Sequence, residues 1–238
     1  MKNKFISIVI PIHNEEKMLE KNITEIVENM NRSKVKYEII LIENGSTDKT
    51  YDVASKISER YNRFDLVRIN CADYGKALKV GMARARGYII VNYDLDFYDI
   101  DFALQAIALE PFGYDIIVAS KNLRLSRDLR SFNRRIISSI YKYFLYYGFG
   151  LNVSDTHGIK AWRNDSILQR LINETTQTKE IFDTELIIRS QYAKRKLLEL
   201  PITINETRKS VSRILPRVIR GLWQLTKLWF LLRLRTVI

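Results

Sequence analysis

A β-type apolar run ends in two carboxylates in the stretch Gly87-Tyr88-Ile89-Ile90-Val91-Asn92-Tyr93-Asp94-Leu95-Asp96. Side chains two residues apart in a strand point the same way, so Asp94 and Asp96 are predicted to face one site while Leu95 turns into the core. Such oxygen ligands suit Mg²⁺ or Mn²⁺, which bind one or two protein carboxylates and take their other ligands from water and phosphates. The stretch therefore predicts a cation site that holds the diphosphate of a nucleotide derivative.

A solvated acidic turn is the alternative interpretation of this pair. Asp99 and Asp101 follow closely, as they would in a generic acidic loop. The choice between the two interpretations depends on the sequence upstream.

The first hundred residues alternate between strand and helix patterns. Apolar runs predict strands at residues 5–12, 37–42, near 66–69 and at 88–93. Helical spacing predicts helices at about 15–31, after a turn capped by Ser46 or Thr47, and at 76–86. This alternation is typical of an α/β fold with a mostly parallel, Rossmann-like sheet and helices on both faces. Ligands of such sheets bind at the carboxyl ends of the strands.

Length and composition predict one sizeable domain in a reducing compartment. The chain has 238 residues, 46% of them hydrophobic, which is enough for one core. Its single cysteine, Cys71, is expected to be a small core residue and excludes an internal disulfide framework. The N-terminus passes straight into a strand pattern without the features of a secretory signal. We therefore expect a cytoplasmic protein.

Basic residues are concentrated in the C-terminal tail. The formal net charge is +12, and residues 207–238 hold eight basic and no acidic residues, so subtracting these eight charges leaves +4 for residues 1–206. A body of such mild charge does not indicate a nucleic-acid binder. Along residues 214–235, apolar and aromatic residues alternate with arginines, which indicates a membrane-surface helix, and uncharged stretches there are too short to span a bilayer. A helix packed on the core or in a dimer is the alternative.

Polar turns follow three of the predicted strands and would meet in one crevice. They are Pro11-Ile12-His13-Asn14-Glu15, Glu43-Asn44-Gly45-Ser46-Thr47-Asp48 and Asp94-Leu95-Asp96. The chain has neither a Gly-x-x-x-x-Gly-Lys-Ser/Thr loop nor a Gly-x-Gly-x-x-Gly turn after its first strand. This argues against a P-loop NTPase and a dinucleotide-dependent dehydrogenase.

These three turns and four further segments form an ordered set of seven motifs. One segment, Gly75–Met82 with Ala85-Arg86-Gly87, precedes the Asp94-Leu95-Asp96 turn. The other three follow it: Asp155-Thr156-His157-Gly158-Ile159-Lys160, Phe182-Asp183-Thr184-Glu185-Leu186, and Leu200-Pro201 through Glu206 with Ser212-Arg213. With these motifs in this order, the chain resembles inverting family 2 glycosyltransferases of the GT-A type, specifically the dolichyl-phosphate (polyprenyl-phosphate) hexosyltransferases. Glu43 stands where the family usually has Asp. The resemblance implies a GT-A catalytic domain at residues 1–212 and a basic amphipathic membrane-surface helix at 213–238.

The resemblance also implies an activity and a set of site residues. The activity is transfer of mannose or glucose from a UDP- or GDP-sugar to a polyprenyl phosphate with inversion, dependent on Mg²⁺ or Mn²⁺, at the cytoplasmic face of a membrane. Metal ligands would be Asp94 and Asp96, and these two with Arg213 form the catalytic set. Donor-binding residues would be Pro11, His13, Glu15, Ile42, Glu43, Asn44, Lys76, Asp94, Leu95, Asp96 and Asp183. Acceptor-phosphate residues would be Lys121, Arg134 and Arg213, with a solvated basic face as the alternative.

Asp183 and Glu185 lie two positions apart on a predicted helix and cannot share a face. One is expected to orient the donor sugar or brace the site and the other to be solvated. Three other functions stay open: transfer to a polysaccharide or another lipid, a nucleotidyltransferase, and a non-catalytic membrane or RNA adaptor.

Overall fold

The computed structural model describes residues 5–121, 123, 126–128, 132–151, 153–156, 158–204 and 214–235. The first half of the chain forms β1 (Phe5–Ile12), α1 (Leu19–Arg32), β2 (Lys36–Asn44), α2 (Thr50–Arg60), β3 (Phe64–Ile69), α3 (Tyr74–Arg84), β4 (Ile89–Asn92), α4 (Ile100–Leu109) and β5 (Ile116–Ser120). The second half forms β6 (Arg127–Asp128), α5 (Phe132–Phe149), β7 (Lys160–Arg163), α6 (Ser166–Glu174), α7 (Phe182–Tyr192), β8 (Leu197–Pro201), β9 (Thr203–Ile204) and α8 (Ile214–Arg235). Short 3₁₀ turns lie at Glu110–Phe112 and Lys179–Ile181.

Seven strands form one sheet in the order β3-β2-β1-β4-β7-β5-β8. Neighbouring strands are parallel except at β7, which runs antiparallel to both β4 and β5. The chain builds outward from β1 through β2 to β3 and then returns to the other side of β1 with β4. This reversal between β1 and β4 is a switch point, and ligands of such sheets bind at the carboxyl ends of the strands there. The mostly parallel α/β fold predicted from the sequence is confirmed.

The sheet is buried on both faces. In β1, Ile6, Ile8 and Ile10 pack into one apolar cluster with α1, α2 and α4, whereas Val9 packs into a second cluster on the other side. The apolar stripe predicted for α1 is buried at Leu19, Ile23, Ile26, Val27 and Met30. These continuous apolar strands explain why the sheet is covered by helices on both sides.

Several helix starts differ from the predictions. Helix α1 begins at Leu19 rather than near residue 15, because the carbonyl of Glu15 accepts from the N–H groups of Met18 and Leu19 in a separate turn. Helix α2 begins at Thr50, so the prediction that Ser46 or Thr47 caps it is wrong. Both residues hydrogen bond to the turn after β1 instead.

Two further predictions about local structure are also corrected. Helix α3 begins at Tyr74 rather than at residue 76, because the Asp73 side chain caps it by accepting from the N–H of Lys76 at 2.9 Å. Cys71 is exposed in the loop after β3 and is not a core residue.

One face of α8 packs on the rest of the molecule. Leu225 and Leu228 are buried in the same apolar cluster as Leu145 and Phe149 of α5. The opposite side of α8 is exposed at Ile219, Trp223 and Phe230. Within the described residues, no helix is long and apolar enough to cross a membrane. The division of the chain after residue 212 stays a prediction, since 205–213 lie outside the described residues.

Candidate active site

The turns that follow β1 and β2 are fastened to each other by hydrogen bonds. Asn14 lies in the left-handed region at φ 56°, and its N–H donates to Ser46 Oγ at 3.0 Å. Asn14 Oδ1 accepts from the N–H of Thr47 at 2.8 Å. The N–H of Glu15 donates to the Thr50 hydroxyl at 2.7 Å. Since β1 and β2 end at the same edge of the sheet, these bonds make the two turns one continuous rim.

The loop after β3 joins this rim. Asn44 Oδ1 accepts from the N–H of Asp73 at 2.7 Å. Gly45 has φ +63°, and a Cβ there would lie 2.8 Å from the carbonyl carbon of Cys71 and 2.9 Å from the nitrogen of Ala72. Only glycine satisfies both the backbone conformation and the space at this position.

We expect Gly45→Ala to destabilise the protein by about 2 kcal/mol, because the new methyl group meets backbone atoms in a conformation that alanine rarely adopts. Urea denaturation measures the loss. Gly113→Ala is the matched control, since Gly113 also has a positive φ, of +78°, but no atom lies within 4 Å of its added Cβ. Equal losses for the two variants would contradict the close contact with Cys71.

His13 is held in one tautomer by its neighbours. Its Nδ1 lies 2.8 Å from the carbonyl oxygen of Asn44, and its Nε2 lies 3.3 Å from Asn14 Nδ2. A carbonyl oxygen only accepts, so Nδ1 carries the proton and donates, and Nε2 accepts. The predicted donor-binding residues His13 and Asn44 therefore lie in direct contact on the rim.

Glu43 is fully buried at the carboxyl end of β2. Its Oε1 accepts from the N–H of Ser46 at 2.5 Å, and its Oε2 lies 3.0 Å from Nε of Arg68. The Arg68 guanidinium also stacks over the ring of Tyr51, 4.5 Å from its centre. Each carboxylate oxygen has a second lone pair, so Glu43 keeps capacity to accept from a ligand. Arg68 is a neighbour of this site that the sequence interpretation missed.

Asp94 and Asp96 lie in a turn rather than in a strand. Strand β4 ends at Asn92, and the N–H and carbonyl of Asp94 pair with those of Phe97. Leu95 is buried, as predicted, and its carbonyl accepts from Asn22 Nδ2 at 2.9 Å. The two carboxylates are thus separated by a residue that is anchored in the core.

Tyr74 binds Asp94 directly, which the sequence interpretation did not predict. The Tyr74 hydroxyl donates to Asp94 Oδ1 at 3.0 Å from the first turn of α3. Burial raises the pKa of Asp94 to about 6, the Tyr74 hydrogen bond opposes this, and the charges of Asp96 and Asp183 raise it further. The carboxylates of Asp94, Asp96 and Asp183 therefore share one electrostatic environment.

Both acids of α7 are buried, so the expectation that one of them is solvated is wrong. Asp183 Oδ2 accepts from Lys160 Nζ at 2.8 Å. Glu185 Oε1 accepts from Arg189 Nε at 2.7 Å, and its Oε2 accepts from the N–H of Gln177 at 2.6 Å. The two acids therefore have different surroundings. The charge of Asp183 acts on Asp94, whereas Glu185 holds the backbone of the segment before α7.

Lys121, predicted to contact an acceptor phosphate, lies at the end of β5 in a buried ion pair. Its Nζ is 3.0 Å from Asp155 Oδ2, and both side chains are nearly inaccessible to solvent. Ser154 Oγ and the N–H of Asp155 in turn donate to Glu199 Oε1. A ligand at Lys121 would share the ammonium group with Asp155.

The remaining predicted residues occupy varied positions. The Ile42 side chain is buried against Gly81 of α3, so its backbone is the part available to a ligand. Pro11 pairs with Ile42 in the sheet, and Lys76 is exposed with its Nζ 3.8 Å from Cys71 Sγ. Arg134 lies in α5 but its side chain is outside the described residues, as is the whole of Arg213. Their predicted roles stay predictions.

At the switch point of the sheet, the geometry brings together a rim of hydrogen-bonded turns, the partly buried Asp94, the exposed Asp96 and the buried carboxylate of Asp183. Such an arrangement suits a polar, phosphate-containing ligand whose charge is balanced by a cation.

Comparison with known proteins agrees with this arrangement. The chain is 28% identical over 225 residues to the dolichyl-phosphate beta-glucosyltransferase ALG5D of Trichomonas vaginalis, covering 88% of this chain and 68% of that protein. It is 25% identical over 232 residues to the human dolichyl-phosphate beta-glucosyltransferase, covering 90% and 70%.

A solved structure shares the fold. Glucosyl-3-phosphoglycerate synthase from Mycobacterium tuberculosis, in complex with Mn²⁺, uridine diphosphate and phosphoglyceric acid, superposes with a TM-score of 0.65 at 16% identity, covering 92% of this chain and 74% of that one. This similarity confirms the GT-A type of fold. The family model for glycosyl transferase family 2 matches residues 7–172. The chain therefore belongs to glycosyl transferase family 2 and is a glycosyltransferase.

Proposed function

We propose that this enzyme transfers a hexose, glucose or mannose, from a UDP- or GDP-sugar to a polyprenyl (dolichyl) phosphate with inversion at the sugar. The observation that carries the proposal is the position of Asp94 at the switch point of the sheet, beside Asp96 and Asp183 and next to the rim of turns. The names of the two dolichyl-phosphate relatives support the acceptor class.

Asp94 and Asp96 fit a divalent cation. They offer only carboxylate oxygens, which Mg²⁺ and Mn²⁺ prefer, and these ions need no more than one or two protein carboxylates. Among the described residues no group of three His, Cys, Asp or Glu is placed to hold a metal. Asp94 and Asp96 would therefore hold the ion together with phosphates and water. When bound, Mg²⁺ or Mn²⁺ supplies positive charge that neutralises the departing nucleoside diphosphate.

The acceptor supplies its own nucleophile in this proposal. A phosphate monoester has a second pKa near 6, so it is largely a dianion at neutral pH and attacks the sugar without a protein base. The enzyme then needs mainly to align donor and acceptor and to stabilise the leaving group. In this proposal Lys121 contacts the acceptor phosphate, and Arg134 and Arg213 are further candidates for this contact.

Helix α8 supports a membrane-bound acceptor. Its outer side exposes Trp223 and Phe230, which are 58% and 56% accessible, and Lys227 Nζ lies 3.5 Å from the centre of the Trp223 ring. Aromatic and basic side chains together are typical of helices that lie at a lipid surface. Helix α5 packs beside α8 and exposes further apolar side chains, namely Ile140, Tyr143, Tyr146 and Tyr147. In this proposal the enzyme is peripheral, at the cytoplasmic face of a membrane.

The activity is tested by incubating the enzyme with Mn²⁺, a polyprenyl phosphate and radiolabelled UDP-glucose or GDP-mannose. We expect label in the lipid fraction, released by mild acid as a sugar phosphate ester would be. Label in a polysaccharide or a phosphate-free lipid would support transfer to another acceptor and overturn the polyprenyl-phosphate assignment. Absence of transfer from any donor would overturn the proposal as a whole.

If α8 contacts the membrane, the double variant Trp223→Ser/Phe230→Ser should bind vesicles several-fold less than the wild type. The reason is that each substitution removes an exposed aromatic side chain from the lipid surface. Co-sedimentation with phosphatidylcholine vesicles containing phosphatidylglycerol measures the pelleted fraction. Phe112→Ser is the control, since Phe112 is 72% accessible on the turn after α4. Point variants are preferred to deletion of α8, because deletion would uncover the core around Leu225. If the wild type, the Trp223→Ser/Phe230→Ser variant and Phe112→Ser pellet with vesicles to the same extent, α8 does not have this role.

A further inference from the structure

Lys160 is a cation placed in the interior of the sheet. It is the first residue of β7, is 0% accessible, and pairs with Asn92 of β4 and Val118 of β5. Its Nζ donates to Asp183 Oδ2 at 2.8 Å and to the carbonyl oxygen of Gly158 at 2.7 Å. The ammonium group is therefore anchored on two sides.

Asp183 uses only one of its oxygens inside the protein. It is 5% accessible in the first turn of α7, and its Oδ1 is buried with no hydrogen-bond partner among the described residues. A buried carboxylate oxygen left without a partner is costly, and such atoms in native proteins need an explanation. A ligand that donates a hydrogen bond is the explanation that also uses the surroundings of Asp183.

These surroundings lie at the cation site rather than in a remote part of the core. Phe182 packs so closely on Gly75 that a Cβ on this glycine would lie 2.6 Å from Phe182 Cβ. Gly75 follows Tyr74, whose hydroxyl binds Asp94. The starts of α3 and α7 are thus locked together, which brings Asp183 to the same edge as the acidic pair.

A purely structural role for the ion pair is the competing explanation. Buried ion pairs are commonly no more stabilising than apolar residues of the same shape, because the loss of hydration offsets the attraction. The pair between Lys160 and Asp183 also leaves one oxygen unpaired, which a pair retained for stability alone has no reason to do.

We propose that Lys160 is a positioning residue that fixes Asp183 so that its Oδ1 accepts a hydrogen bond from a hydroxyl group of the donor sugar. This inference rests on the proposed function. To the expectation that one acid of α7 orients the donor sugar, it adds the accepting atom, Asp183 Oδ1, and the residue that positions it, Lys160. The hydrogen bond would be charge-assisted, and its geometry would be set before the donor binds.

The test compares the affinity for a nucleotide sugar with the affinity for the bare nucleotide. Isothermal titration with Mn²⁺ gives both values for UDP-glucose and UDP, and for GDP-mannose and GDP. We expect Asp183→Asn and Lys160→Met to reduce the ratio of these affinities about tenfold, the loss expected for one hydrogen bond to a charged group. The charges of Asp183 and Lys160 also act on Asp94, so the two affinities in each ratio are measured on the same variant at saturating Mn²⁺, and a change common to both cancels.

Helix α7, which carries Asp183, also provides a matched control. Arg189 forms a buried ion pair with Glu185, whose oxygens are also held by the Thr176 and Gln177 backbone. Arg189→Met should lower the melting temperature but keep the affinity ratio. The double variant Lys160→Met/Asp183→Asn removes both charges. It should have a higher melting temperature than Lys160→Met, but its ratio of nucleotide-sugar affinity to nucleotide affinity should stay as low.

The outcomes separate this inference from the proposed function. If the wild-type enzyme binds neither nucleotide, the proposed function fails. In the other case, the wild-type enzyme binds nucleotide and binds the nucleotide sugar more tightly. If Lys160→Met then keeps the wild-type affinity ratio, only the role of Lys160 and Asp183 is overturned. The double variant replaces Lys160→Met in this comparison if Lys160→Met does not fold. A ratio that falls equally in Arg189→Met also overturns it, because general loosening of α7 would then be the cause.

Discussion

Asp96→Ala is expected to lower kcat at least about a hundredfold at saturating donor and metal, because electrostatic stabilisation of a leaving group by a bound ion contributes several kcal/mol. Asp96 is exposed, whereas the neighbouring Leu95 anchors the turn in the core. The substitution should therefore leave the fold and melting temperature unchanged. Initial rates over a Mn²⁺ titration measure the effect.

Asp101→Ala provides the control for this prediction. Asp101 is also exposed and lies a few residues further along, in the first turn of α4. It should keep wild-type turnover if the effect belongs to the cation site. Near-normal rates for Asp96→Ala at saturating Mn²⁺ would remove the metal assignment, and equal losses in both variants would point to the acidic character of the loop alone.

Asp94→Asn is expected to abolish turnover and at the same time stabilise the metal-free protein above pH 6. Burial raises the pKa of Asp94 to about 6, above its ordinary value of 3.8. A carboxyl group with a raised pKa contributes stability below its unfolded pKa and loses it as the pH rises through the folded value. At neutral pH the ionised Asp94 therefore costs up to about 3 kcal/mol, which asparagine avoids while still accepting from Tyr74.

Thermal unfolding of the metal-free proteins between pH 4 and 8 checks this prediction. The melting temperature of Asp94→Asn should rise relative to wild type as the pH increases from 4 to 6 and then stay several degrees higher. Added Mn²⁺ should narrow the gap, since only the wild type gains stability from the ion. A constant difference at every pH would show that ionisation of Asp94 is not the cause.

The sequence predicted the architecture because its signals are local. The apolar runs of β1, β2 and β4 and the helical stripe of α1 each depend on neighbouring residues, and their order along the chain is enough to indicate a parallel sheet. The rim of turns could be placed for the same reason, since parallel strands end at one edge.

Features that depend on distant partners were not predicted. Ser46 and Thr47 have the chemistry of helix caps, but Asn14, which lies more than thirty residues away, takes their hydrogen bonds. Cys71 is exposed, and it is the backbone of its loop that packs against Gly45. The contact of Tyr74 with Asp94 leaves no pattern in the sequence, since it joins the start of a helix to a turn twenty residues later.

The burial of Glu185 had a signal that the helix-face argument overlooked. Arg189 stands four residues further along α7, the spacing at which oppositely charged side chains meet on a helix. Two acids on different faces can both be buried when each face meets its own cation, as Lys160 does for Asp183.

The position of the Lys160 side chain depends on the register of β7, which lies antiparallel between β4 and β5. Successive residues of a strand face opposite sides of the sheet, so a shift of β7 by one position would turn Lys160 away from Asp183 and present Ile159 or Ala161 instead. The side chain of Asn164, directly after β7, helps to fix the register of this strand, because it donates to the carbonyls of Ala85 and Gly87 just before β4. If Lys160 has the role proposed above, a molecule with β7 shifted would keep its secondary structure but lose the contact between Lys160 and Asp183. Its affinity for the sugar would then report a misalignment that circular dichroism does not detect.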